Sequence, residues 1–136
     1  MWPFVVDAPS GVEMIMLVAC LLMGLSHLLQ PQIWVEFFGQ LRGRGSFGLV
    51  ANSFVNAAPA AVIVSLHQVW SGPAVLLTLY GWALLIKSGV SLLVPSAGLR
   101  SMALARHGDG AFRAAGVGLL AVALACALQL GGIAVP

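Results

Sequence analysis

A lysine stands inside an oily run. Lys87 lies in GWALLIKSGVSLLVP, Gly81 to Pro95. Charges within a membrane segment are rare, and insertion scales put their cost at about 2.5 to 3.5 kcal/mol at the centre. Lys87 falls past the middle of its apolar stretch. Its backbone then sits roughly 10 Å inside the edge of a hydrocarbon core about 30 Å thick. Snorkelling carries the ammonium part of the way out, and it falls short unless water reaches in. Either the side chain snorkels or something pairs with it.

Glu13 is the acidic residue inside an apolar stretch, but it lies toward the opposite membrane face, at an axial offset on the order of 15 Å. A direct Glu13–Lys87 pair within the chain is not expected. Asn52 and Asn56 are four residues apart and share a helix face, at depths that bracket Lys87. Tyr80 and Ser91 share the Lys87 face of their own stretch, and His27 lies at the rim. Lys87, Asn52, Asn56, Ser91, His27 and Tyr80 therefore form a candidate intramembrane polar cluster. One reading is a hydrogen-bond network that only holds the helices together, each bond worth on the order of 0.6 kcal/mol. The other is a binding site for an anionic lipid phosphate, a quinone-like headgroup or a partner's carboxylate.

Other chemistry-bearing residues point nowhere in particular. His27 and His67 lie at opposite ends of their stretches, so they cannot clamp one haem iron. His107 falls in a loop, where solvation suffices. Cys20 and Cys126 each sit mid-run, without CxxC or Cys/His spacing, and read as small apolar packers rather than metal ligands. No nucleophile elbow, phosphate loop, HExxH or pair of carboxylates occurs, and GRGSFG follows no strand. No metal, cofactor or enzymatic activity is expected.

The elements that position these residues follow from composition. The 136 residues are 60% hydrophobic and 7% charged, and the mean hydropathy is +1.02. A soluble domain carries about a quarter charged residues, so the solvent for most of this chain is lipid. A membrane helix needs about 20 apolar residues. Four stretches qualify, near 11–29, 47–66, 73–94 and 111–133. The expected fold is all-α: one domain over 1–136, polytopic, with four transmembrane helices. The second and third spans are joined by the short HQVWSGP and should form a tight hairpin. The formal charge of +2 comes from six scattered basic residues, which make no nucleic-acid stripe. The N-terminal segment has no basic n-region, so the first span is expected to be retained.

Arg42 and Arg44 lie between the first two spans, and Arg100, Arg106 and Arg113 between or beside the last two. The positive-inside rule puts these loops in the cytoplasm and both termini outside. The two loops read as interfacial helices. PQIWVEFFGQLRGRG opens on Pro31, a favoured first helical residue, and gathers Ile33, Trp34, Phe37, Phe38 and Leu41 on one side. Ser46 is placed to cap the second span. PSAGLRSMALARHGDG repeats the layout from Pro95, with Gly108 to Gly110 as its break and Asp109 as the next cap. LLMGLSHLLQP and LIKSGVSLLVP align at a shift of 64, which fits a parallel tandem repeat or merely similar oily helices. In the fourth span Ala114, Gly118, Ala121 and Ala125 share a face suited to close helix packing, within the bundle or against another subunit. Trp34, Trp70 and Trp2 are placed as belt anchors, and Trp82 as an inward packer.

GLSHLLQPQIWVEFF and LHQVWSGPAVLLTLYGWALLIKSG resemble an uncharacterised family of small bacterial four-helix integral membrane proteins, over most of the chain. That resemblance implies a bacterial cytoplasmic membrane and transfers no site. Glu13 and VWSG are also similar to small multidrug resistance transporters. The glutamate here is nearer the helix end, the linkers are long and amphipathic, and the Arg bias fixes one orientation. The leading expectation is an accessory or assembly subunit that packs against lipids and other membrane proteins, or against copies of itself. The alternative is a small oligomeric transporter or channel with Lys87, Asn52 and Asn56 in its path.

Overall fold

The computed structural model describes residues 7–103 and 109–132. Trp2, Arg106, His107 and Gly108 lie outside them. Six helices follow in order: α1 (Ala8–Leu29), α2 (Pro31–Gly43), α3 (Ser46–Leu66), α4 (Val75–Leu93), α5 (Pro95–Ala103) and α6 (Asp109–Leu130). No strand occurs among the described residues. Four helices, α1, α3, α4 and α6, are long and apolar enough to cross a membrane.

Local chemistry sets the helix ends. The Asp7 carboxylate accepts the Ser10 amide at 2.8 Å and caps α1. Pro31 and Pro95 open α2 and α5, where a missing N–H costs nothing. Ser46 does not cap α3 as expected but is its first helical residue. Gly45 holds the cap position at φ 59, a left-handed conformation that favours glycine. This packs the α2–α3 elbow tightly. A Cβ on Gly48 would stand 1.7 Å from the Leu41 carbonyl oxygen. At the other end of the bundle, the Gln129 side chain of α6 accepts the Ala74 amide at 3.4 Å and braces the turn before α4.

The long helices pack in two pairs, α1 along α6 and α3 along α4, with sparser contact between the pairs. Lipid gives no hydrophobic drive between helices, so close approach depends on small residues. Gly24 and Gly116 provide it between α1 and α6, and Gly81 against Ile63 between α4 and α3. The buried core joins Val12, Met16 and Cys20 of α1 to Ile63, Leu77, Val122, Ala123 and Cys126. On α6, Ala125 is buried, while Ala114, Gly118 and Ala121 face outward. The inward line runs instead through Phe112, Gly116 and Ala123. Trp82 also differs from expectation and is 38% exposed. Gly81 takes the inner position against Ile63, and the next residue is turned away.

Candidate functional site

An open cavity of about 730 Å³ is lined by all six helices, and its lining includes the exposed Ile15, Val55 and Lys87. Its walls are mostly apolar. Lys87, Asn52, Asn56, His27 and Tyr80 are the polar groups of the expected cluster that reach it. Ser91 is buried elsewhere, against Gly98 of α5.

The end that carries α2 is closed by aromatic rings. His27 stacks on Trp34 at 4.2 Å between ring centroids, with planes 16° apart. Phe38 stacks on Phe112 at 5.6 Å. The Trp34 indole donates to the Ser26 hydroxyl at 2.9 Å, which fixes the ring. Trp34 therefore roofs the cavity, a role beyond belt anchoring. The cause is the short step through Gln30 and Pro31, which folds α2 back over the end of α1.

The polar groups are only partly satisfied by one another. The His27 Nδ1 lies 2.7 Å from the Met23 carbonyl oxygen, so Nδ1 carries a hydrogen and donates it. In the neutral ring Nε2 is then an acceptor, on a residue only 6% exposed. The Asn56 amide donates to the Asn52 carbonyl at 2.8 Å and to Asn52 Oδ1 at 3.3 Å. This leaves the Asn52 amide nitrogen as a donor at the cavity wall. Lys87 makes no ion pair or side-chain hydrogen bond among the described residues. The asparagines bond to each other instead. Pro59, also on the wall, removes one rung from α3 beside them.

At the opposite end of the bundle stands a polar group that the sequence reading did not assemble. His67 Nε2 lies 2.8 Å from Glu13 Oε1, with the residues 0% and 3% exposed. Its Nδ1 lies 3.0 Å from Thr78 Oγ1, and Thr78 Oγ1 lies 2.7 Å from the Val69 carbonyl oxygen. Depth along the helices was the one signal in the sequence: Glu13 and His67 sit at the same end of their helices, which sets them at one level without making them neighbours. Among the described residues, no three His, Cys, Asp or Glu side chains gather as a metal site. Cys20 and Cys126 are buried and unbonded.

No protein-family model, curated protein or solved structure matches the chain. Its class rests on its own architecture: an all-helical bundle with four helices able to span a membrane.

Proposed function

We propose that this chain is a membrane-embedded binding protein that takes an amphiphilic molecule from the bilayer into its central cavity. One observation carries the reading: an open, mostly apolar cavity lined by all six helices, to which Lys87, Asn52, His27 and Tyr80 contribute polar groups. Small-molecule sites are concave and mostly apolar, about 300–1,000 Å³, with a few placed polar groups. The ammonium and amide are donors, so the headgroup is anionic or rich in acceptors, as in an anionic lipid or a quinone-like ring. The stacked His27, Trp34, Phe38 and Phe112 offer flat faces to a planar group.

The same reading sets the surroundings. The Arg-bearing connections face the cytoplasm, both termini lie outside, and α2 and α5 rest in the membrane interface. The setting is a bacterial cytoplasmic membrane. A tandem repeat supports a cavity shared by two halves. Leu29 and Leu93 end α1 and α4, Pro31 and Pro95 open α2 and α5, and Leu66 and Leu130 end α3 and α6, each pair at the shift of 64. Exchanging the halves also exchanges the α1–α6 and α4–α3 pairs.

The test is Trp34 fluorescence of the reconstituted protein with Trp2, Trp70 and Trp82 replaced by Phe, titrated with a short-chain benzoquinone and, separately, with brominated phosphatidylglycerol. Saturable quenching by either, weakened at least tenfold by Lys87→Met, is expected. Quenching that never saturates, or is the same in Lys87→Met, rejects the reading.

A second reading, an accessory subunit beside other membrane proteins, is supported by the outward line of Ala114, Gly118 and Ala121 on α6. A native-membrane pull-down that yields only a lone monomer rejects it.

A further inference from the structure

Thr78 has one hydroxyl hydrogen, and that hydrogen decides the state of His67. The Val69 carbonyl oxygen, 2.7 Å from Thr78 Oγ1, accepts only. The hydroxyl hydrogen therefore goes to Val69. Toward His67, 3.0 Å away, Thr78 Oγ1 is the acceptor, so His67 Nδ1 carries a hydrogen. The remaining contact, His67 Nε2 to Glu13 Oε1 at 2.8 Å, also needs one. Without it, two lone pairs would face each other beside a buried carboxylate. The proton sits on nitrogen, as imidazolium with carboxylate, or on oxygen, as neutral imidazole with carboxylic acid. Both arrangements are net neutral and hold the same number of protons.

We propose that Glu13 and His67 form a proton-binding site that holds one proton between them and latches α1 to the α3–α4 turn. Glu13 belongs to the α1–α6 pair, whereas His67 and Thr78 belong to the α3–α4 pair. The latch thus joins the two helix pairs at the end of the bundle away from the aromatic roof.

Little else could replace the proton. The nearer titratable groups on the packed elements are Cys20 of α1, Tyr80 of α4 and Cys126 of α6, and thiols and phenols are ordinarily neutral at pH 7; His27 of α1 and Asp109 and Arg113 of α6 lie toward the opposite ends of those helices. Gln129 of α6 is uncharged. Lys87 lies about two turns beyond Tyr80 on α4, and Asp7 is exposed at the start of α1. Releasing the proton to water at that end leaves a Glu13 carboxylate and a neutral His67. Either their hydrogen bond is lost, or the remaining hydrogen moves to Nε2 and the Thr78 hydroxyl turns from Val69 to Nδ1; in both cases one uncompensated charge is left in a dry site, which is strongly unfavourable. Admitting water relieves it, so the first turns of α1 part from the α3–α4 turn. This inference does not depend on what occupies the cavity.

Spin labels on Ala8→Cys and Gln68→Cys, both exposed positions, read the separation of α1 from the turn in the full chain in bilayers. The buried native thiols stay unlabelled. The wild-type pair should move to longer distances as pH rises, with the open-to-closed ratio changing about tenfold per pH unit, the slope for one proton. Glu13→Gln should stay closed throughout, because its amide donates to Nε2 and has no proton to lose. Equal pH response in Glu13→Gln, or no response in wild type, overturns the proposal. Nitrogen-15 spectra of histidine-labelled wild-type protein give a check that needs no variant. His67 Nδ1 must appear protonated, and a bare Nδ1 overturns the proton count.

Discussion

Gly116 of α6 lies against Gly24 of α1 so closely that a Cβ on Gly116 would stand 2.8 Å from the Gly24 carbonyl oxygen and 2.9 Å from the His27 Cβ. A backbone oxygen cannot swing aside as a side chain can. Gly116→Ala should therefore push the two helices apart, at about the 1–3 kcal/mol of core overpacking. Gly118→Ala meets nothing within 4 Å and should leave stability unchanged. Unfolding of both variants in mixed micelles, monitored by helix content, checks the contrast. Equal effects would show that the α1–α6 contact is not set at Gly116.

The Glu13–His67 pair predicts non-additive stability. Removing His67 alone leaves a buried acid without its partner, and breaking a buried pair from one side costs about 3–5 kcal/mol. The double replacement Glu13→Leu with His67→Leu removes both polar groups and should be less destabilised than His67→Leu alone. A double-mutant cycle measures the coupling. Simple addition of the single effects would exclude a paired role.

The start of α1 should be sensitive to acid. The Ser10 amide, followed by the Ser10 hydroxyl, holds the exposed Asp7 carboxyl below its ordinary value. A depressed carboxyl contributes stability above its unfolded value and loses it as pH falls through the folded one. Protection of the Ser10 amide, taken relative to its intrinsic exchange rate at each pH, should fall on acidification below the usual carboxylate range. Asp7→Ala should show the lower protection at every pH, and Asp7→Asn should keep most protection without the pH dependence.

Ser53 presents the reverse case. Its hydroxyl is buried with no hydrogen-bond partner among the described residues. An unsatisfied buried hydroxyl is unfavourable by about 1–3 kcal/mol, so Ser53→Ala should raise the unfolding midpoint. A lowered midpoint would mean that the hydroxyl has a partner in the membrane-embedded protein.

The spans were legible because twenty-residue apolar runs admit few other structures. Their ends were found within a few residues, as at Leu29 and Leu66. Pro31 and Pro95 announced the two short helices through proline's preference for the first helical turn. Depth along a helix was enough to group Asn52, Asn56 and Lys87, and the structure brings these with His27 and Tyr80 to one cavity. Rotation about the helix axis was harder. A stripe of small residues marks a face without saying which way it points, so Ala114 and Gly118 were easy to see while Gly116 was not. Tertiary polar pairs were hardest. His67 meets Glu13 only because α1 lies beside the α3–α4 turn, and no local pattern encodes that neighbour.

The most extensive helix pair joins the first long helix to the last. During synthesis α3 and α4 can fold together as soon as their turn emerges, whereas α1 must wait in the bilayer for α6. Until then the Gly24 and Cys20 side of α1 faces lipid, and the cavity lacks one of its walls. Closure of the α1–α6 contact therefore comes after the α3–α4 hairpin. A chain stopped after α5 would leave that side of α1 bare and the cavity without its α6 wall.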